Sequence, residues 1–170
     1  MELKSLIRDV PNYPKAGIVF KDITPLLQNP KALGHVVQVL AEQVRALNVQ
    51  KICGIESRGF IFGAPLAVAL GVGFVPIRKP GKLPWQKISQ EYALEYGTDT
   101  LEMHRDAVNA DERILIVDDV LATGGTAQAV CQLVEQMQAR VVGLAFLMEL
   151  SFLSGRDKLK SHEIISLIKY

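Results

Sequence analysis

The segment from residue 113 to residue 126, RILIVDDVLATGGT, constrains the fold of this chain more than any other segment. Residues 114–117 are an unbroken β-branched and leucine run, which is typical of a strand buried on both faces of a parallel sheet. The carboxylates of Asp118 and Asp119 follow this run, and an amphipathic helix pattern starts near Ala127. A buried strand that passes through a short polar turn into a helix predicts a βα unit and therefore an α/β fold.

The turn between that strand and helix has the composition of a phosphate-binding loop. This phosphate loop consists of Ala122, Thr123, Gly124, Gly125 and Thr126. Hydroxyls and glycines at a helix start let backbone N–H groups converge on an anion, which the helix dipole also favours. The two preceding aspartates, here called the acidic pair, can accept hydrogen bonds from ribose hydroxyls beside a bound 5′-phosphate. The alternative is a plain turn, in which the aspartates cap backbone amides and the glycines only reverse the chain.

Two common phosphate-binding motifs do not match this loop. A Walker loop would end in Gly-Lys-Ser or Gly-Lys-Thr, and a dinucleotide fingerprint needs three spaced glycines with no acidic pair before them. The order of hydrophobic strand, Asp-Asp and Thr-Gly-Gly-Thr resembles the phosphoribosyl pyrophosphate (PRPP) loop of the type I phosphoribosyltransferases.

Composition and charge exclude several other classes of protein. A chain of 170 residues with a net charge of +1 is expected to form one domain, with no nucleic acid or membrane as partner. It shows no Arg-rich leader, signal-peptide core or apolar run that could cross a bilayer, so a cytoplasmic location is expected. Cys53 and Cys131 lie in apolar patterns and are predicted to be reduced core thiols, with a disulfide as the alternative. His35, His104 and His162 lack the spacing of metal ligands, so no structural metal site is expected.

The rest of the chain alternates between strand and helix patterns. Helices are predicted from Asn29-Pro30 to about residue 47, with Asn29 as the N-cap, and over residues 59–70, ending at Gly71. Strands are predicted over residues 51–55, 73–78 and 140–148, whereas residues 164–168 could be a strand or a docked tail. Pro76 indicates either a strand at a sheet edge or the exit of a strand. This order predicts an open, mainly parallel sheet with helices on both faces.

Ligands of such sheets bind beyond the carboxyl ends of the strands, and two of these strand exits are polar. After residues 51–55 come Glu56, Ser57 and Arg58, where a tight turn could present Ser57, amides and a guanidinium to an anion. In the alternative, Arg58 only pairs with a surface carboxylate.

The second exit, the basic loop of residues 78–87, follows the strand at 73–78. No Asp or Glu occurs between Ser57 and Gln90, although this region holds five basic residues: Arg58, Arg78, Lys79, Lys82 and Lys87. This excess indicates an anionic partner, and Pro-Gly and Leu-Pro predict a long loop that could close as a lid. The alternative is a solvated basic loop without function.

Two further segments contribute candidate residues. Alternation around Gly97 predicts a hairpin that places Glu95 near the base of the basic loop, although such a carboxylate is more often simply solvated. Residues 17–25, GIVFKDITP, could offer an aromatic face and backbone edges to a flat heterocycle, unless Phe20 packs in the core.

Five strings in the chain, in this order, resemble the adenine phosphoribosyltransferase family: GIVFKDITP, ESRGF, IRKPGKLP, LEYG and VDDVLATGGT. The resemblance implies purine salvage in which adenine and PRPP give AMP and pyrophosphate, with Mg²⁺ held mainly by PRPP, pyrophosphate and water. It also implies a homodimer, an N-terminal hood over residues 1–28 and a mobile active-site loop over residues 79–92 within one domain.

The resemblance also implies the role of each candidate residue. The ribose and 5′-phosphate site would be Asp118, Asp119, Ala122, Thr123, Gly124, Gly125 and Thr126. The pyrophosphate site would be Glu56, Ser57, Arg58, Arg78 and Lys82, with a cis peptide bond at Glu56-Ser57. The adenine site would be Val19, Phe20, Lys21 and Val120, and the catalytic residues would be Glu95, beside Tyr96, and Arg58.

Two alternatives to this function remain open. Relatives that use a 6-oxopurine generally carry a carboxylate where this chain has Ala122, so adenine is the expected base. A non-catalytic PRPP or purine sensor on the same fold is the other alternative. Residues 1–10 are too short for a DNA-binding segment, and Glu95 together with the basic loop favours turnover.

Overall fold

This computed structural model describes residues 1–94 and 97–170, which form strands and α-helices around one central sheet. The strands are β1 (Arg8–Pro11), β2 (Val19–Asp22), β3 (Lys51–Ile55), β4 (Gly73–Ile77), β5 (Lys87–Ala93), β6 (Thr98–His104), β7 (Arg113–Leu121), β8 (Arg140–Glu149) and β9 (Ile164–Lys169). The α-helices are α1 (Thr24–Leu27), α2 (Pro30–Val44), α3 (Gly59–Leu70) and α4 (Gly125–Gln136).

The central sheet has five parallel strands in the order β4-β3-β7-β8-β9, which confirms the predicted open parallel sheet. Pro76 lies in β4, at one edge of the sheet. An edge strand tolerates proline, because the missing backbone N–H need not pair with a strand on that side. Residues 164–169 form the opposite edge and pair with β8, so this segment is a strand and not a docked tail.

Both faces of the sheet are covered, because successive side chains of a strand point to opposite sides. Ile52 and Leu115 face one core with α2 and α3, whereas Cys53 and Ile116 face a second core with α4. The antiparallel hairpin of β5 and β6 also packs on the second core. Among the described helices, none combines the length and the apolarity needed to cross a membrane.

The helix ends follow their predicted signals. Asn29 Oδ1 accepts hydrogen bonds from the backbone N–H groups of Lys31 and Ala32, both at 3.1 Å. Helix α3 ends at Gly71, whose φ of +68° is the left-handed conformation that favours glycine. Cys53 and Cys131 are free and buried, and burial raises the pKa of each thiol to about 12.

Three boundaries differ from the sequence prediction. Strand β7 continues through the acidic pair to Leu121, because Val120 and Leu121 still pair with β8. Helix α4 begins at Gly125, two residues before the predicted start. Residues 87–93 form strand β5 and Arg78 forms a β-bridge with Glu102, so only residues 79–86 of the predicted basic loop are irregular.

Candidate active site

Sheet order explains why the predicted site residues come together. Strands β4, β3 and β7 are neighbours and run in parallel, so their carboxyl ends open onto the same edge of the sheet. Arg78, Glu56 and the acidic pair follow or end these three strands. Residues distant in sequence therefore share one site, as expected for an open α/β sheet.

In the acidic pair, Asp119 is buried and contacts Arg58, whereas Asp118 is half-buried. Asp119 is 3% exposed, and its Oδ2 lies 2.8 Å from Arg58 Nε. Asp118 Oδ1 accepts a hydrogen bond from the backbone N–H of Asp119 at 2.8 Å. Within the described residues, no donor is aligned for a hydrogen bond to Asp119 Oδ2. Arg58 therefore pairs with a buried carboxylate of the site, and not with a surface carboxylate.

Burial makes this acidic pair hard to ionise. Burial raises the pKa of Asp119, and the positive charge of Arg58 offsets only part of that effect. The pKa of Asp118 is raised well above its usual value by burial and then by the negative charge of Asp119. A ligand that brings hydroxyl donors or positive charge to these oxygens would relieve both effects.

The turn after β3 fixes the exit of β4. The peptide bond between Glu56 and Ser57 is cis, as the resemblance implies, and Ser57 is exposed. Glu56 Oε2 accepts hydrogen bonds from Arg78 Nε at 2.9 Å and from the backbone N–H of Lys79 at 2.7 Å. Burial raises the pKa of Glu56, but these hydrogen bonds outweigh it and the net pKa is lowered. Glu56 thus stays ionised and holds Arg78 in place.

The charge excess of the basic loop is largely balanced in space. Lys79 Nζ pairs with Asp99 of β6, and Lys87 Nζ lies 3.0 Å from Glu102 Oε2. Glu102 is buried and also accepts a hydrogen bond from Gly81 N at 3.2 Å. The loop is therefore tied to β6 and is not simply solvated. Lys82, by contrast, is exposed and acts on Glu56 only through its charge.

The phosphate loop opens onto the N-terminus of α4. Gly124 caps this helix with a φ of +81°, which glycine adopts without strain. The first turn of α4 contains no acidic residue, so its positive dipole end remains available to an anion. A cavity of about 60 Å³ lies here, and its lining includes Asp118, Val120, Ala122, Thr123, Gly124 and Thr126.

The segment Gly155–Leu159, here called the 155–159 turn, packs against this loop and was missed by sequence reasoning. A Cβ atom on Gly124 would overlap Gly155 O, and one on Gly155 would overlap Ala122 O. Arg156 anchors the turn through hydrogen bonds from Nε and Nη2 to Glu149 Oε1 and Oε2, at 2.7 and 2.8 Å. A glycine and three charged residues soon after strand β8 were the available signal, but no known motif marks them.

The N-terminal hairpin lies beside Arg58. Val19 is 49% exposed, and Phe20 is half-buried with the Arg58 guanidinium carbon 5.4 Å from its ring centroid. Phe20 is therefore not a core residue. The side chain of Lys21 is engaged elsewhere, since Nζ lies 2.6 Å from Asp9 Oδ1 and 4.1 Å from the ring centroid of Tyr170.

Two predicted site residues cannot be placed in this geometry. Glu95 and Tyr96 lie outside the described residues. The flanking strands β5 and β6 do form the hairpin predicted around Gly97.

Comparison with protein families identifies the class. The phosphoribosyl transferase domain family matches residues 22–165, a range that contains the acidic pair, the phosphate loop and the exits of β3 and β4. The chain therefore belongs to the phosphoribosyl transferase family.

Individual relatives narrow the assignment. The adenine phosphoribosyltransferase of Acaryochloris marina is 56% identical over 170 residues, covering 100% of both chains. The crystal structure of adenine phosphoribosyltransferase from Thermoanaerobacter pseudethanolicus superposes with a TM-score of 0.97 at 54% identity, covering 99% of this chain and 98% of that one. The Saccharomyces cerevisiae enzyme was solved as a complex with an imino-altritol bisphosphate and adenine. It superposes with a TM-score of 0.91 at 43% identity, covering 97% of this chain and 96% of that one. These relatives place the chain among the adenine phosphoribosyltransferases.

Proposed function

We propose that this chain transfers the 5-phosphoribosyl group from PRPP to adenine, giving AMP and pyrophosphate in purine salvage. One observation carries the proposal: the acidic pair, whose buried Asp119 contacts Arg58, leads directly into the phosphate loop at the start of α4. The full-length relatives named for the same reaction support it, as does the adenine bound by the yeast enzyme.

The proposed PRPP site has three parts in a row. The phosphate loop, residues 122–126, holds the 5′-phosphate with its backbone N–H groups, and the acidic pair accepts hydrogen bonds from the ribose hydroxyls. The pyrophosphate faces the amides around Ser57 and the side chains of Arg58, Arg78 and Lys82. Glu56 contributes by orienting Arg78, because its carboxylate already accepts that hydrogen bond.

The proposed adenine site lies between the N-terminal hairpin and the end of β7. Phe20 stacks on the ring from one side and Val120 from the other, while the backbone of Val19 and Lys21 contacts the edge of the base. The exposure of Val19 and the engagement of Lys21 Nζ by Asp9 support a role for backbone rather than side chain. Glu95 accepts a proton from adenine or favours its reactive tautomer.

The proposed mechanism is largely electrostatic. Breaking the bond between the anomeric carbon and pyrophosphate leaves positive charge on the ribose ring and negative charge on the leaving group. Arg58, Arg78 and Lys82 stabilise the leaving group, and closure of the basic loop excludes water from the cationic sugar. The N9 lone pair of adenine then forms the new bond to the anomeric carbon.

Mg²⁺ is proposed as the cofactor. Within the described residues, no three His, Cys, Asp or Glu side chains are grouped to hold a metal ion. The acidic pair supplies only two carboxylates, which fits a Mg²⁺ that takes most of its oxygen ligands from substrate phosphates and water. When bound, it would neutralise part of the pyrophosphate charge. The homodimer and the cytoplasmic location likewise remain proposals.

The test is pyrophosphate release from PRPP and Mg²⁺ with adenine, hypoxanthine, guanine or orotate in parallel. Release with adenine alone, accompanied by AMP, is expected. Release with a 6-oxopurine would overturn the base assignment, whereas PRPP binding without turnover would indicate a sensor. A Glu95→Gln variant should lower kcat about 10² to 10⁴-fold with little change in either KM, and unchanged kcat would refute the role of Glu95.

A further inference from the structure

The 155–159 turn brings a cation, Lys158, to the phosphate loop. Lys158 Nζ lies 3.8 Å from the position that a Cβ atom would take on Gly125, the first residue of α4. The side chain of Lys158 is exposed, yet its ammonium group ends beside this helix start. Because Gly125 has no side chain, nothing of its own separates the ammonium from the backbone of the loop.

In the described part of the chain, the charged residues around Lys158 form ion pairs with residues other than Lys158. Arg156 binds Glu149, and Lys160 Nζ lies 3.3 Å from Asp157 Oδ1. Glu135 lines the same groove as Lys158, and its Oε1 lies 3.8 Å from His162 Nε2. Across residues 1–94 and 97–170, no carboxylate forms an ion pair with Lys158.

This placement is electrostatically unfavourable unless an anion is bound. The N-terminus of a helix carries about half a positive charge, so a cation beside it is normally destabilising. The first turn of α4 has no acidic side chain to compensate. The anchoring of Arg156 by Glu149 nevertheless holds the 155–159 turn, and with it Lys158, next to α4.

We propose that Lys158 is a further phosphate-binding residue, whose ammonium group stabilises the 5′-phosphate of PRPP and AMP at the start of α4. The inference rests on the proposed function and adds a residue that the phosphate loop motif does not contain. It assigns Lys158 to the 5′-phosphate end of the ligand, whereas Arg58, Arg78 and Lys82 serve the pyrophosphate end.

The test compares Lys158→Gln with Lys158→Arg and with the control Lys160→Gln, which removes an equal charge two residues away. In Lys158→Gln, the Kd for AMP and for ribose 5-phosphate should rise about fivefold, an effect expected of a partly exposed ion pair. The KM for PRPP should rise similarly, while the KM for adenine and the Kd for pyrophosphate stay unchanged. Lys158→Arg should retain most of the affinity, and Lys160→Gln should match the wild type.

Thermal stability separates binding from a structural role. Without ligand, Lys158→Gln should melt at or above the wild-type temperature, since a like charge beside α4 has been removed. With saturating AMP, its gain in melting temperature should be smaller than that of the wild type. A lower ligand-free melting temperature with unchanged affinity for ribose 5-phosphate would overturn the inference. A wild-type protein that binds neither PRPP nor AMP would instead refute the proposed function.

Discussion

The contact between Gly155 and the phosphate loop can be tested by adding one methyl group. In Gly155→Ala, the new Cβ would also lie 3.0 Å from Leu121 Cδ1 and 3.2 Å from Ala122 C. It would sit about 1 Å too close to Ala122 O for van der Waals contact. Because the obstacle is backbone, either the phosphate loop or the 155–159 turn must move by a similar distance.

Two magnitudes follow from this displacement. Overpacking of this kind destabilises by about 1 to 3 kcal/mol, which urea denaturation would measure. A shift of about 1 Å in a segment that positions substrate can lower the rate about 100-fold, so kcat/KM for PRPP should fall by up to that factor.

The matched control for this variant is Gly34→Ala in α2, where a Cβ would have no atom within 4 Å. Alanine at a helix interior should raise the free energy of unfolding by about 0.5 to 1 kcal/mol and leave activity unchanged. A Gly155→Ala variant with wild-type stability and kinetics would refute the close contact and, with it, the placement of the 155–159 turn.

Two further predictions concern carboxylates whose pKa values are shifted. Asp118→Asn should raise the melting temperature of the ligand-free protein, since burial and the charge of Asp119 oppose ionisation at this position. The same variant should weaken PRPP binding, because Asp118 is a proposed acceptor for the ribose hydroxyls. A lower melting temperature would contradict this reasoning. The hydrogen bonds from Arg156 lower the pKa of Glu149, which is 5% exposed. An unfolded glutamate ionises near pH ~4.3, so this stabilisation is complete above that value and is lost as pH falls through the lower folded pKa. Glu149→Gln should therefore lose less stability than the wild type between about pH 5 and 3, and parallel acid curves would argue against the pairing.

The strands of the central sheet and the helices that cover it could be predicted, because the sequence signals for these elements are local. The N-cap at Asn29, the left-handed Gly71 and the edge position of Pro76 depend on residues close in sequence. The convergence of the exits of β3 and β7 followed from the parallel order, since such strands place their carboxyl ends at one edge. The pattern thus indicated where a ligand would bind before any contact was known.

Contacts between residues distant in sequence could not be predicted. The basic loop is an example. Its sequence has an excess of positive charge, yet Lys79 and Lys87 form ion pairs with carboxylates of β6, which is distant in sequence. The hairpin of β1 and β2 also went unpredicted, because its short strands show no alternating burial. Gly155 belongs to no known motif, because its importance lies in the close approach of another backbone segment.

In the proposed PRPP site, the charges would form an ordered series that selects among anionic ligands. Arg58, Arg78 and Lys82 would provide positive charge at the pyrophosphate end, the acidic pair would follow, and the start of α4 with Lys158 would be positive again. Free phosphate or pyrophosphate would satisfy one positive end and leave the acidic pair without hydroxyl donors. In the proposed binding mode, a ribose that carries phosphate groups at both ends would meet all three regions at once. A ligand without hydroxyl donors would leave the carboxylates of the acidic pair without hydrogen-bond partners. The acidic pair should therefore discriminate between ligands more strongly than either positive end. PRPP analogues that lack the ribose hydroxyls should therefore bind more weakly than PRPP, although their phosphates carry the same charge.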